Sequence, residues 1–156
     1  MADLLEEVVW AASHGEDWQS ILLASSTAYD GTDLEGAPLA GRNLAGIDLS
    51  GARLHHADFT GTDLTEARLV DVSAINSELT DARLMKSDLS GSMFVRSVMR
   101  RANLSRVVAQ HTSFLGADLS QVDFTGADLT DSTLFGATLD GALFKAAILQ
   151  DTRYRH

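Results

Sequence analysis

The chain has 156 residues, no cysteine and a formal net charge of −10 at pH 7. The length fits a single domain, and the absence of cysteine excludes a disulfide framework and thiol chemistry. The excess of carboxylates disfavours direct binding to nucleic acid or to an anionic membrane surface, whereas it permits a protein partner that is basic.

Residues 1–31 are the first predicted element, and they lie outside the pattern that governs the rest of the chain. Apolar residues recur at helical spacing from Leu4 to Ala12, and Asp3 with Glu6 has the spacing of a capping box. We therefore predict a helical segment here. The segment has no apolar run long enough for a signal peptide or a membrane span, so we expect a cytoplasmic protein.

An apolar residue recurs at every fifth position in the remainder of the chain, residues 32–156. Of the 25 such centres from residue 34 to residue 154, 21 are Leu or Phe, so chance does not explain the pattern. The exceptions are Ala74, Met99, Ala109 and Tyr154. A period of five fits neither an α-helix nor an ordinary strand. It predicts a solenoid, in which each unit buries its apolar side by stacking on its neighbours.

Within each five-residue unit, we expect the centre and the residue two positions before it to point inward. That second inward residue is usually Ala, Ser, Thr or Val. The other three positions are typical of turns: Asp or Asn before the centre, Ser or Thr after it, and then often Gly. Glycine suits a tight corner because it tolerates a positive φ.

The pattern Ala-(Asp/Asn)-(Leu/Phe)-(Ser/Thr)-Gly resembles the pentapeptide repeat family. Good matches lie at residues 57–61, 117–120 and 127–130. The resemblance implies an all-β solenoid, a right-handed quadrilateral β-helix with four units in each 20-residue coil. Residues 32–156 would then form about six coils, on the order of 30 Å in length. Residues 1–31 would be an N-terminal α-helical cap over the open first coil.

Residues that are 20 positions apart should stack on the same face of such a rod. We number the faces by their first centres: Leu34 for face 1, Leu39 for face 2, Leu44 for face 3 and Leu49 for face 4. The residues that follow four successive face 1 centres are large and apolar, and Met93 lies beside them. These residues are Ile75, Val95, Leu115 and Phe135. An outward apolar column predicts a partner site or a homodimer interface, although scattered apolar residues are also common on surfaces. An end-to-end dimer through the last coil is the competing geometry.

Carboxylates are concentrated on faces 2 and 4. On face 4 they are Asp48, Asp71, Asp88, Asp128, Asp131 and Asp151. One interpretation is that these residues serve turns and solubility. The family resemblance implies another, since some members are similar in shape and charge to B-form DNA and bind type II topoisomerases, protecting them from inhibitors. A DNA mimic that binds DNA gyrase is therefore the alternative hypothesis, although basic residues cluster from Arg96 to Arg106.

Motifs for catalysis and metal binding are missing from the sequence. There is no Gly-rich phosphate loop, no HExxH and no Cys/His metal spacing, and His55 and His56 lack an evident third ligand. The carboxylates occupy regular turns without the contrasting environments that acid–base catalysis needs. We therefore predict no catalytic, cofactor or metal site. The leading hypothesis is a non-catalytic protein-interaction module that uses the apolar column, with its partner left open.

Overall fold

The computed structural model describes residues 33–154. The predicted helical cap, residues 1–31, lies outside this range. Residues 33–154 contain no helix and no continuous strand, so nothing in this range could cross a membrane as an apolar helix. Their backbone pairs instead through parallel bridges that are each a single residue long.

Every bridge joins two residues that are 20 positions apart, for example Asp58 with Glu78 and Ser113 with Thr133. Hydrogen bonds follow the same period, since the amide of Leu84 donates to the carbonyl oxygen of Asn103 at 2.8 Å. Successive 20-residue coils therefore stack in parallel, with four five-residue units in each coil. This arrangement is a β-solenoid, as the sequence predicts. The right-handed sense of the coils stays a prediction.

A tight corner ends each five-residue unit. The amide of Ala117 donates to the carbonyl oxygen of Phe114 at 3.0 Å, and this pattern recurs along the rod. The second residue after each centre has a positive φ, whether it is Gly126 at 70° or Arg96 at 55°. None of the non-glycine residues at these corners is β-branched, which fits the steric cost of a branched side chain in this conformation.

The interior of the rod is filled by the centres and by the small residues that precede them. Leu84 and Leu129 are completely buried, which confirms the predicted register. The Phe114 ring lies 5.8 Å from the Phe94 ring and 5.9 Å from the Phe124 ring, measured between centroids. An aromatic column therefore runs through the second half of the core.

Two centres are alanine, and at each of them the preceding inward residue is enlarged to valine. Val72 precedes Ala74 and Val107 precedes Ala109, and all four side chains are buried. The larger neighbour offsets the volume that the small centre leaves, which keeps the interior close-packed.

Of the five buried inward-facing serines in residues 33–154, four donate a hydrogen bond to a backbone carbonyl oxygen, whereas the hydroxyl of Ser132 has no partner within this range. The hydroxyls of Ser77, Ser87 and Ser97 donate to the carbonyl oxygens three residues earlier at 2.7, 2.7 and 2.8 Å. These buried hydroxyls therefore stabilise corners, and their bonds follow the rule that buried polar groups find partners.

Candidate protein-interaction surface

Face 1 presents four stacked segments of one chain: residues 73–76, 93–96, 113–116 and 133–136. Bridges join their first residues in order: Ser73 to Met93, Met93 to Ser113 and Ser113 to Thr133. Each segment thus lies directly over the next, at about 4.8 Å per coil.

The apolar column occupies one position in each of these segments. Backbone amides at the adjacent corners donate to the carbonyl oxygens of Val95, Leu115 and Phe135 at 3.0, 2.9 and 3.0 Å. These bonds place the four apolar residues in a continuous line along the rod axis. We call this line the apolar stripe: Ile75, Val95, Leu115 and Phe135.

Exposure along the apolar stripe is graded. Ile75 and Val95 are half-buried, whereas Leu115 is 42% exposed and Phe135 is 53% exposed. Met93, at the neighbouring position, is 43% exposed. The stripe therefore projects furthest from the rod at its Phe135 end.

Face 1 also differs from the other faces in its charge. Its four segments from residue 73 to residue 136 contain no Asp or Glu, although each of the other three faces carries carboxylates over the same coils. Arg96 is the only charged residue in these segments. Its Cγ lies 3.6 Å from the position that a Cβ of Gly116 would take, so its aliphatic stem covers the Gly116 corner beside Leu115.

The six carboxylates of face 4 do not converge on one site. Asp48, Asp88 and Asp128 each accept the backbone N–H of the residue two positions later, at 3.0 Å in every case. Asp71, Asp131 and Asp151 occupy corners with φ between 54° and 58°. Three of the six therefore stabilise turns, and the other three lie at corners.

Ion pairs between stacked coils neutralise part of the acidic surface, and sequence reasoning missed them. Arg101 Nη2 lies 2.7 Å from Asp81 Oδ2, and Lys86 Nζ lies 3.0 Å from Glu66 Oε1. Similar pairs join Arg83 to Asp63 and Arg68 to Asp48. The partners are 20 residues apart, so the signal was present in the sequence. Exposed pairs of this kind typically contribute at most about 1 kcal/mol each.

Sequence reasoning also missed a second set of exposed apolar side chains. Leu143 and Ile148 are exposed at the positions before their centres, where Asp or Asn is usual. They bridge to Asp123 on face 3 and Asp128 on face 4. These residues therefore do not extend the apolar stripe.

His55 and His56 are adjacent in sequence, but their environments differ. His55 Nε2 lies 2.7 Å from Ser73 Oγ, whereas His56 occupies a corner with a φ of 58°. Within residues 33–154 no three His, Cys, Asp or Glu side chains gather closely enough to hold a metal ion.

Hydrogen bonds lower the pKa of several turn aspartates. Bonds from the side chains of Thr130 and Gln110 hold the pKa of Asp128 below its ordinary value, although partial burial opposes them. A bond from Ser50 likewise lowers the pKa of Asp48. A lowered pKa means that the folded state stabilises the ionised form of the carboxylate, so ionisation of these aspartates in turn stabilises the fold.

Asp128→Asn tests this contribution to stability. A lowered folded-state pKa stabilises the protein above the unfolded-state value of about 3.8, and this stabilisation is lost as pH falls through the folded-state pKa. Asparagine keeps an acceptor for the turn but cannot ionise. We expect the variant to be about 1 kcal/mol less stable than the wild type at pH 7, and we expect this difference to shrink as the pH falls below about 3.8. Urea titrations across this range measure the difference. Asp151→Asn, at a corner, is the control, and a pH-independent difference for Asp128→Asn would contradict the prediction.

Pentapeptide repeat proteins are among the solved structures that the chain resembles. One from the Arabidopsis thaliana thylakoid lumen is 24% identical, with 75% of this chain and 71% of that chain covered and a TM-score of 0.45. HetL from Nostoc sp., involved in heterocyst differentiation regulation, is 21% identical, with 88% and 95% covered and a TM-score of 0.30. QnrB1, a plasmid-mediated fluoroquinolone resistance protein, is 15% identical at full length, with 83% and 91% covered and a TM-score of 0.22.

Comparison with curated proteins gave no match. The family model for pentapeptide repeats (8 copies) matches residues 32–71, 62–101 and 102–141. These three spans cover most of the region in which the structure shows the five-residue unit and the 20-residue coil. The chain therefore belongs to the pentapeptide repeat family.

Proposed function

We propose that the protein is a non-catalytic interaction module that binds a protein partner through face 1. The observation that carries this proposal is the apolar stripe, whose four segments from residue 73 to residue 136 contain no carboxylate in a protein whose net charge is −10. A continuous apolar column rimmed by small and polar residues is typical of a contact surface.

Burial of the two most exposed stripe residues would supply much of the binding free energy. Leu115 and Phe135 each offer roughly 1.5–3 kcal/mol if a partner buries them fully, before the costs of association are subtracted. Met93 and the stem of Arg96 widen the apolar area beside them. We therefore expect the partner to present an apolar surface of its own.

The depressions on the rod support a non-catalytic role. One depression of about 390 Å³ lies beside face 1 and is lined by His111, Ser113, Asp131, Thr133 and Arg153, among others. His111 Nδ1 is 3.8 Å from Asp131 Oδ2. Thr133 Oγ1 accepts the backbone N–H of Phe135. Among the described residues, no hydroxyl is hydrogen-bonded to His111, so an activated nucleophile has no support here.

A DNA mimic that binds DNA gyrase is the alternative, motivated by the carboxylates of faces 2 and 4. The distribution of charge supports it less well. The coil from residue 93 to residue 112 contains no Asp or Glu and carries four arginines: Arg96, Arg100, Arg101 and Arg106. In this coil face 2 carries Arg100 and Arg101 and face 4 carries no carboxylate, so the negative charge of both faces is interrupted, whereas the DNA backbone is negative throughout its length.

Affinity capture with matched variants tests the proposal. The wild type and two variants are immobilised and incubated with a lysate of the source organism to which gyrase has been added. One is the double variant Leu115→Asp/Phe135→Asp, called the stripe variant, and the other is Met85→Asp. Met85 is an exposed apolar residue at the equivalent position of face 3, so its variant controls for the added charge. We expect a partner that binds the wild type and the control but not the stripe variant, because the new carboxylates cannot be buried unpaired.

Retention of every partner by the stripe variant would contradict a role for face 1. The DNA mimic would be favoured if the wild type and the stripe variant bound gyrase equally and Asp88→Lys/Asp128→Lys did not bind it.

A further inference from the structure

We infer that the partner of face 1 is a second copy of this chain, packed antiparallel about a twofold axis between segments 93–96 and 113–116. This inference rests on the function proposed above and names the partner of the same surface. It concerns an isologous dimer, in which the same patch serves both copies.

A twofold axis that lies in the plane of face 1, at right angles to the rod, reverses the order of the coils. It keeps each column on its own side of the face. Segment 93–96 then faces segment 113–116 of the second copy, and segment 73–76 faces segment 133–136. The apolar stripe therefore meets itself along all four coils.

The sizes of the stripe residues fit this reversal. Phe135, which projects furthest, lies opposite the half-buried Ile75 of the second copy, and Leu115 lies opposite the half-buried Val95. The height of the stripe rises toward Phe135 in one copy and falls in the facing copy, so the gap between the two copies is even along the stripe. Close packing requires such a fit. Rods packed in parallel would instead set Phe135 against Phe135 and leave a gap at Val95.

The columns on either side of the stripe fit the same axis. Met93, which is large and exposed, lies opposite Ser113 of the second copy. On the other side, Arg96 lies opposite Gly116, which has no side chain of its own. The stem of that copy's Arg96 lies over the same corner, so the two arginines share the space beside the axis. In the Met93 column a large residue thus meets a small one.

Charge also permits the pairing. The four segments contain no Asp or Glu, so their contact desolvates no carboxylate on either copy. Beyond them, the same axis sets Arg53 opposite Arg153 of the second copy, and the ion pairs of Arg53 with Asp33 and Glu35 offset this repulsion. Arg96 lies at the edge of the face, and its guanidinium can keep contact with water while its stem is covered.

The size of the patch sets the strength of the dimer. Four coils span about 19 Å at 4.8 Å each, and the four residues across a segment span about 13 Å at 3.3 Å each. The patch of about 250 Å² is therefore smaller than the roughly 800 Å² per partner of a standard interface. We therefore expect a weak dimer that forms at high protein concentration.

Sedimentation equilibrium of the intact chain tests the dimer up to millimolar concentration. We expect the wild type and Met85→Asp to dimerise alike, and Leu115→Asp to associate at least about tenfold more weakly, because its carboxylate would be buried without a partner. A wild type that stays monomeric, or a Leu115→Asp variant that dimerises normally, overturns the inference. Circular dichroism confirms that each variant is folded.

A charge swap tests the position of the axis. Gly116→Arg places an arginine opposite Arg96 of the second copy and should abolish the dimer. The fold should tolerate this variant, since Arg96, Arg101 and Arg106 occupy corners with similar φ. Gly116→Arg combined with Arg96→Gly restores the pairing of large with small and should restore the dimer. A double variant that stays monomeric overturns the proposed axis.

Cross-linking tests the orientation, and the absence of cysteine makes the chain suitable for it. With a short bismaleimide, a mixture of Ser73→Cys and Thr133→Cys should cross-link in excess of either variant alone, because residue 73 faces residue 133 of the second copy. Efficient linkage of Ser73→Cys to itself would overturn the antiparallel arrangement.

The dimer and the proposed function can fail separately. If the wild type is monomeric but binds a different protein, and the stripe variant no longer binds that protein, this inference is overturned and the proposed function stands. Partner binding that is unaffected by the stripe variant would overturn the function itself.

Discussion

Leu84→Asp is expected to leave the protein largely unfolded at neutral pH. Leu84 is completely buried at a centre in the middle of the rod. The substitution removes the leucine from the core, which alone costs about 2–5 kcal/mol for a change to alanine. It also places a carboxyl group among apolar side chains, at a further cost of a few kcal/mol. The sum is comparable to the roughly 5–15 kcal/mol that stabilises a typical domain.

The adjacent residue supplies the control for this experiment. Met85 points outward and is 38% exposed, so Met85→Asp should change the free energy of unfolding by no more than about 0.5 kcal/mol. Circular dichroism and urea titration at pH 7 measure both variants. Similar behaviour of the two variants would contradict the assignment of inward and outward positions.

Phe114→Ala is expected to lower the free energy of unfolding by about 3–5 kcal/mol, through lost burial and the cavity that remains. Phe114 stacks on Phe94 and meets Phe124 edge to face, and such aromatic pairs add about 0.5–1.5 kcal/mol each. Its loss should therefore weaken several coils at once.

Phe135→Ala is the matched control for this second experiment, because it removes the same ring from the outside of the rod. We expect its effect on the unfolding of the monomer to be less than about 1 kcal/mol. Urea titrations at low protein concentration, where self-association is negligible, compare the two. Equal losses of stability would mean that Phe114 is not a core residue.

The residues that form the core could be predicted, because their positions depend only on the five-residue spacing. A five-residue period leaves one assignment in which Leu84, Leu129 and most other leucines and phenylalanines of the repeat point inward. The structure has that assignment, although the centres Leu149 and Tyr154 in the last coil are exposed. The alanine centre at Ala74 fits the same assignment, since the larger inward residue Val72 precedes it and both side chains are buried. Residues 1–31 have no such period, so the helical segment predicted there rests on local pattern alone.

The surface was predictable in position but not in shape. The interval of 20 residues alone predicts that Ile75, Val95, Leu115 and Phe135 lie in one line. Their graded exposure depends on how far each side chain reaches past its neighbours, which spacing does not contain. The ion pair between Asp81 and Arg101 obeys the same interval, yet it was missed because charges were counted by face rather than compared coil by coil.

The bridges that join residues 20 positions apart constrain how such a molecule can change in length. Duplication of one whole coil lengthens the rod by about 4.8 Å and returns every later side chain to its former face. Duplication of a single five-residue unit also preserves the core, but it turns everything that follows by a quarter of the circumference. A stripe such as that of Ile75 to Phe135 would then be cut in two and its halves set on adjacent faces. Descendants of one ancestral rod can therefore share an interior and lose a common contact surface in a single genetic step.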